Sequence, residues 1–427
     1  MPRLLADITP LKESPAFRRL WIGNGLSSIG TQLTVVAVSL EVYFLTGSTL
    51  AVGMLGLVAL VPLVFAGLYG GAIADAHDRR KVALISSAVL WLVTIGIAAQ
   101  AWLGLGQVSL LYALIAIQSA AAGVNGAARS AIVPRLVRPA LLPAANALSM
   151  IVMGLGTTLG PLLAGVLSAN IGFAWTYTVD VVTFTAALWA LFKLPPLPPL
   201  AVDGVVRKAG LKSVLEGFAF LGTRPNVRMT FLVDMCAMVF ALPRALLPAI
   251  GAVWLGGGEQ TAGILLAAIA AGSFLAALFS GPLGQVRRQG LAVVWSITLW
   301  GAAIVGLGGS VLAGGHHTAG TGTSPWLIAA VFTLVVAGVA DSISSVFRST
   351  ILQSATPDHL RGRLQGIFVV VVTGGPRLGD VFSGSMGQWR GEGWAAVIGG
   401  LLCIAAVWAL AFWQRGFLDY DARHPQP

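Results

Sequence analysis

The fold class this sequence predicts is an all-α polytopic membrane protein, with twelve transmembrane helices in two pseudo-symmetric six-helix bundles. Three observations predict it. The 427 residues are 56 % hydrophobic and only 10 % charged, with 53 glycines and a mean hydropathy of +0.85, whereas a soluble domain is about 25 % charged. Runs of about 20 mostly apolar residues, the length a spanning helix needs, recur twelve times along the chain. The basic residues cluster between alternate runs, as orientation signals do in a membrane protein.

The runs are justified in order by what bounds them. Span 1, Phe17–Phe44, has Arg18 and Arg19 at its inner end and stops before Thr46-Gly-Ser48; span 2, Leu50–Ala74, ends in the charged stretch Asp75 to Lys81. Spans 3 and 4, Val82–Leu103 and Val108–Ala128, turn over at Gly104 and Gly106, and Arg129, Arg135 and Arg138 close the fourth. Spans 5 and 6, Ala144–Ala169 and Phe173–Leu194, precede the longest polar stretch of the chain. That stretch opens on Leu-Pro-Pro-Leu-Pro-Pro, a stiff extended sequence, and contains a helix-compatible piece, Leu211 to Leu221, with Lys212 and Glu216 at i,i+4. Spans 7 to 12 follow at Val227–Trp254, Thr261–Gln285, Leu291–Leu312, Pro325–Phe347, Leu364–Met386 and Trp394–Trp413.

Placing the N-terminus in the cytoplasm puts 22 of the 26 Lys and Arg residues in inner segments and only Arg390 in an outer loop, with Arg244, Arg348 and Arg377 inside spans. Both termini are therefore expected in the cytoplasm, in a multi-pass cell-membrane protein. The expected organisation is a first half at 1–194, a cytoplasmic linker with a surface helix at 195–226, a second half at 227–414 and a tail at 415–427. No cleavable signal is evident before Trp21, so span 1 is expected to insert intact. The net charge of +10 is an orientation signal, which excludes a nucleic-acid surface. Cys236 and Cys403 lie in apolar runs and read as buried thiols. His316-His317 lacks further ligands, so no metal or cofactor is expected.

The halves echo one another. Gly71-Ala-Ile-Ala-Asp75 with Arg79, Arg80 and Lys81 is matched by Gly281-Pro-Leu-Gly-Gln285 with Arg287 and Arg288; Arg129-Ser-Ala-Ile132 by Arg348-Ser-Thr-Ile351; and Gly160-Pro161 by Gly375-Pro376. Duplicated helical halves are the substrate of alternating-access transport, with a site at their interface. Asp75, at a cytoplasmic helix end, is suited to face a helix N-terminus or a cation such as Arg129. Gly156 and Gly160, followed by Pro161, let a neighbouring backbone approach and bend span 5.

Over essentially the whole chain these residues resemble the major facilitator superfamily. Gly70-Gly71-Ala-Ile-Ala-Asp75-Ala-His-Asp-Arg79-Arg80-Lys81 is similar to its helix 2 to 3 loop signature, with Ala76 where a basic residue is usual and Asp78 where a glycine is. The resemblance implies a cytoplasmic gate involving Gly71, Asp75, Arg79, Arg80 and Arg129, with the start of helix 11 as the partner of Asp75. Gly156 to Gly165, including Gly160 and Pro161, is similar to the helix 5 motif of proton-coupled exporters, with Ala164 replacing a glycine. Phe17-Arg-Arg-Leu-Trp21, Thr46-Gly-Ser48 and Thr356 to Arg363 resemble more narrowly the enterobactin-exporter branch, close to macrolide efflux proteins.

Ionisable groups inside a bilayer are costly and are functional candidates by default. Glu41, Asp180, Asp234, Asp341 and Asp380 fall inside spans. Under the repeat offsets Asp234 corresponds to Asn24 and Asp341 to Ala122, so these charges exist in one half only. Asp234 and Asp341 are the proton-coupling candidates; a static pair of Asp341 with Arg348 at i,i+7 is the competing reading. Arg377 and Asp380, at i,i+3, are expected to form a structural ion pair. In the superfamily helices 1, 4, 7 and 10 line the cavity, which makes Asn24, Gln118 and Asn125 substrate-cavity candidates. The expected activity is proton-coupled export of a small amphipathic compound, a siderophore or drug, by a monomer whose partners are its substrate, protons and the lipid bilayer. An importer or uniporter of a polar nutrient is the alternative. A polytopic enzyme is the remote one, as no nucleophile elbow, HExxH or nucleotide-binding loop is present.

Overall fold

The computed structural model describes residues 7–197, 222–279, 283, 286–316, 324–354 and 358–421. The expected linker helix, Leu211 to Leu221, lies outside these residues. A helical turn, Thr9–Glu13, follows Asp7, whose Oδ1 accepts from Thr9 N at 3.0 Å. The long helices then follow: α1 Pro15–Thr46, α2 Thr49–Ala76, α3 Arg79–Trp102 and α4 Val108–Leu136. One helical run, Leu142–Phe192, is interrupted at Gly172 (φ 78°, ψ 169°) and so divides into α5 (142–171) and α6 (173–192). Only glycine adopts that left-handed, extended backbone without a Cβ penalty, which is why two spans meet there without a polar loop.

The second half of the chain begins with α7, Pro225–Phe240. The sequence predicts one unbroken span to Trp254, but the helix stops at Phe240 and resumes as Leu247–Ala249 and a π-helical turn, Ile250–Trp254. Pro243 lies in the break; its ring excludes a helical conformation at the preceding residue and it supplies no N–H. Then come α8 Gly258–Leu278, α9 Gln289–Gly314, α10 Trp326–Ser354, α11 Asp358–Arg390 and α12 Glu392–Trp413, and a short helix, Arg415–Leu418. Nine helical runs among the described residues are long and apolar enough to cross a membrane, one of them the run broken at Gly172. With that run divided, and with the broken α7 and the more polar α11 added, the architecture is consistent with twelve spans.

The chain forms two compact units, Met1–Glu41 with Val58–Ala209, and Val42–Leu57 with Gly210–Pro427. Lipid removes the hydrophobic drive between helices, so close packing through small residues has to hold them together. In the second unit α8 and α10 meet where Gly272 lies on the Val335 carbonyl and Gly338 on the Ile269 carbonyl, each without room for a Cβ. Its core runs from Met229 and Val233 on α7 through Trp300 and Ile304 on α9 to Cys403 and Val407 on α12. Phe417 and Tyr420 close its end, where Gly290 lies against the Phe417 carbonyl. In the first unit α5 packs on α1 through Gly156, against Ser28, and Gly160, against Gln32.

Candidate functional site

Within the second unit α7 and α10 bring three charged side chains together. Arg348 is 6 % exposed and forms an ion pair with Asp234, itself 3 % exposed. A second guanidinium nitrogen lies 3.7 Å from Asp341, whose side chain is 46 % exposed. Helical side chains lean toward the N-terminus, so Arg348 reaches back two turns along α10 to Asp341 while meeting Asp234 across the helix interface. The static pair and the proton-coupling pair weighed from sequence are thus one cluster. With both acids ionised it carries one uncompensated negative charge in a largely dry setting. That is a costly state, which one added positive charge neutralises.

The first unit holds a twin of this contact in which an amide replaces the acid. The Arg129 guanidinium donates to Asn24 Oδ1 and, at 3.2 Å, to Ser87 Oγ. Asn24 and Arg129 are the repeat counterparts of Asp234 and Arg348. Asn125 is buried, and its amide donates to Ser87 Oγ at 2.6 Å, with Ser86 Oγ at 2.9 Å and the Ala83 carbonyl at 3.1 Å. It therefore fastens α4 to α3 instead of presenting its amide to a cavity. Gln118 is buried on α4.

The remaining candidates are placed as follows. Arg80 donates to the Phe192 carbonyl at 2.6 Å and lies 5.8 Å over the Phe192 ring, a cation at the C-terminal end of α6. Arg79 N donates to the Leu197 carbonyl at 3.1 Å. Asp78, the departure from the loop signature, caps α3, accepting from Arg80 N and, at 3.2 Å, from Leu197 N. The side chains of Gly71 and Asp75 lie outside the described part of α2. On α5, Pro161 and Gly165 are buried beyond the Gly156 and Gly160 contacts. The expected Arg377–Asp380 ion pair is not found: among the described residues no ion pair joins them, and Asp380 Oδ1 is buried without a hydrogen-bond donor. Asp380 instead feels two cations at longer range, Arg244 more strongly than Arg377, so the i,i+3 pair is replaced by a looser three-charge group.

Two acids of the first unit are held by neutral donors. Glu41 accepts from Gln100 Nε2 at 2.9 Å and Tyr177 Oη at 2.6 Å; Asp180 accepts from Thr34 Oγ1 at 2.6 Å. Residue type and depth mark both as candidates in the sequence, but only packing reveals their partners.

Solved structures share this architecture. The nucleoside transporter NupG superposes with a TM-score of 0.74 over 95 % of this chain and 99 % of that one, at 15 % identity. A bacterial homologue of the iron transporter ferroportin does so with a TM-score of 0.67 over 93 % and 98 %, at 14 % identity. These likenesses show the fold, and the family model that matches the chain over residues 6–423 makes it a transporter of the major facilitator superfamily. More particularly, the chain belongs to the transmembrane secretion effector family, which matches residues 6–423. The enterobactin exporter EntS of Escherichia coli O81 (strain ED1a) is 31 % identical over 384 residues, covering 90 % of this chain and 88 % of that protein. The protein of the same name from Escherichia coli O9:H4 (strain HS) matches to the same extent. Family membership makes the chain a multi-pass membrane transporter of a small molecule and removes the polytopic-enzyme alternative.

Proposed function

We propose that this protein exports a small amphipathic compound, of siderophore or drug class, in exchange for protons. The observation that carries the coupling is the Asp234–Arg348–Asp341 cluster, two acids around one cation. The half-exposed Asp341 takes the proton from water, and the buried Asp234 stays with Arg348. Protonation removes the uncompensated charge, so the two protonation states favour different packings of α7 against α10. The export direction and a siderophore cargo are supported by the EntS relatives, which are enterobactin exporters. Two six-helix halves, at 1–194 and 227–414, rock about the site as a monomer in the inner membrane, with both termini cytoplasmic.

The test is transport in proteoliposomes containing the full chain and an enclosed pH-sensitive dye, with a panel of catecholate siderophores and macrolides. Expected is cargo movement against its gradient when the opposite side is acidified, with matching proton flux, abolished by a protonophore. Cargo movement in the same direction as the protons would establish the importer alternative. Movement indifferent to the proton gradient would establish a uniporter.

A further inference from the structure

A cavity of about 700 Å³ opens among α2, α3 and α4 of the first unit, apart from every charged contact described above except the turn between α2 and α3. We propose that it is a binding site for an anionic phospholipid, one acyl chain in the cavity and the phosphate at Lys81. The volume is in the range of sites that bind small molecules, and the walls decide what kind of molecule. Ile73, Ile85 and Ile117, which are 40 %, 65 % and 49 % exposed, form its rim, and Val89, Ala120 and Val124 line it further.

Polar groups occur at one end only, with a single exception. That exception, Ser86, donates to the Val82 carbonyl at 2.7 Å and accepts from Asn125. Among the described residues the body of the cavity thus contains no side-chain donor directed at a ligand, which disfavours a catecholate or other polyhydroxylated cargo and suits a hydrocarbon chain. At the mouth stand His77, Asp78 and Lys81. Asp78 is engaged by the backbone N–H groups of Arg80, Lys81 and Leu197, and Arg80 is engaged by Phe192. Lys81 is exposed, and among the described residues its ammonium has no ion pair. Asp78 already caps the N-terminus of α3, so the attraction for a phosphate comes from charge: Arg79, Arg80 and Lys81 against Asp75 and Asp78 leave this turn net positive. An apolar cavity ending at a net-positive turn suits one acyl chain and its anionic headgroup.

Native mass spectrometry of the full-length protein, released from micelles containing equal amounts of phosphatidylglycerol and phosphatidylcholine with identical acyl chains, tests this. Wild type is expected to retain one phosphatidylglycerol with about fivefold preference, the scale of one basic side chain at an anionic lipid surface. Lys81→Gln is expected to equalise the two lipids. Ala120→Trp, which fills the slot, is expected to lose the retained lipid, whereas Ala113→Trp, exposed on the same helix outside the cavity, keeps it. Equal retention of both lipids by wild type, or an undiminished preference in Lys81→Gln, overturns the proposal. So does displacement of the lipid by a transported siderophore or macrolide, which would assign the cavity to cargo.

Discussion

Asp234→Asn is expected to uncouple transport from protons while leaving the fold intact. The substitution is nearly isosteric, and the amide oxygen still accepts from Arg348, an arrangement that Asn24 and Arg129 already hold in the first unit. What changes is charge. With both acids ionised the native cluster carries one excess negative charge; in the variant Arg348 and Asp341 balance at zero and no proton is required. At 3.7 Å their attraction is about 4 kcal/mol for an effective dielectric near 20, and solvent at the half-exposed Asp341 reduces it to roughly 1 to 2 kcal/mol. Arg348 therefore keeps a partner. Exchanging a charge-assisted hydrogen bond for a neutral one costs about 1 kcal/mol of stability. Arg348→Met behaves oppositely: it leaves two carboxylates without a cation and is expected to cost about 3 to 5 kcal/mol. Proteoliposome transport with simultaneous proton-flux recording and thermal unfolding of the same preparations measures both effects. An Asp234→Asn protein with wild-type proton flux per cargo molecule, or as unstable as Arg348→Met, would refute the reasoning.

Three further outcomes follow from the packing. Gly338→Ala should lower the unfolding temperature, since the added methyl meets the Ile269 backbone carbonyl, and overpacking of this kind costs about 1 to 3 kcal/mol; Gly309→Ala, with open space around it, should leave thermal unfolding unchanged. Tyr177→Phe takes one donor from the buried Glu41 carboxylate and should destabilise the protein by about 1 to 3 kcal/mol in the same assay. Phe417→Ala, emptying a fully buried position beneath α9, should cost about 3 to 5 kcal/mol, read as reduced recovery of folded protein on heating in detergent.

Much of the fold is legible in the sequence because the bilayer imposes a one-dimensional rule. A span must be apolar for about 20 residues and must satisfy its own backbone hydrogen bonds, so hydropathy finds α1 to α6 with boundaries close to those observed. The break in α7 was missed as a structural event although Pro243 signals it, because apolar character continues to Trp254. The internal repeat was legible too, and it contained both halves of the central finding. Asn24 matches Asp234 and Arg129 matches Arg348, yet nothing in either comparison says that the two members of each half touch.

The expected Arg377–Asp380 pair shows the reverse limit. Spacing of i,i+3 allows contact along one helix, but Arg244, 136 positions away in sequence, interacts with Asp380 more strongly than Arg377 does.

The charge asymmetry, the approximate positions of the spans and the identity of the unmatched intramembrane acids are thus legible in the sequence alone, because transfer into lipid acts residue by residue and does not depend on neighbours. The tertiary structure decided which charges share a site. Arg348 and Asp234 are 114 positions apart, and only the packing of α7 on α10 makes them one charge cluster with Asp341. Coulomb energy falls with distance in space, and distance in space is what the order of residues along the chain does not contain.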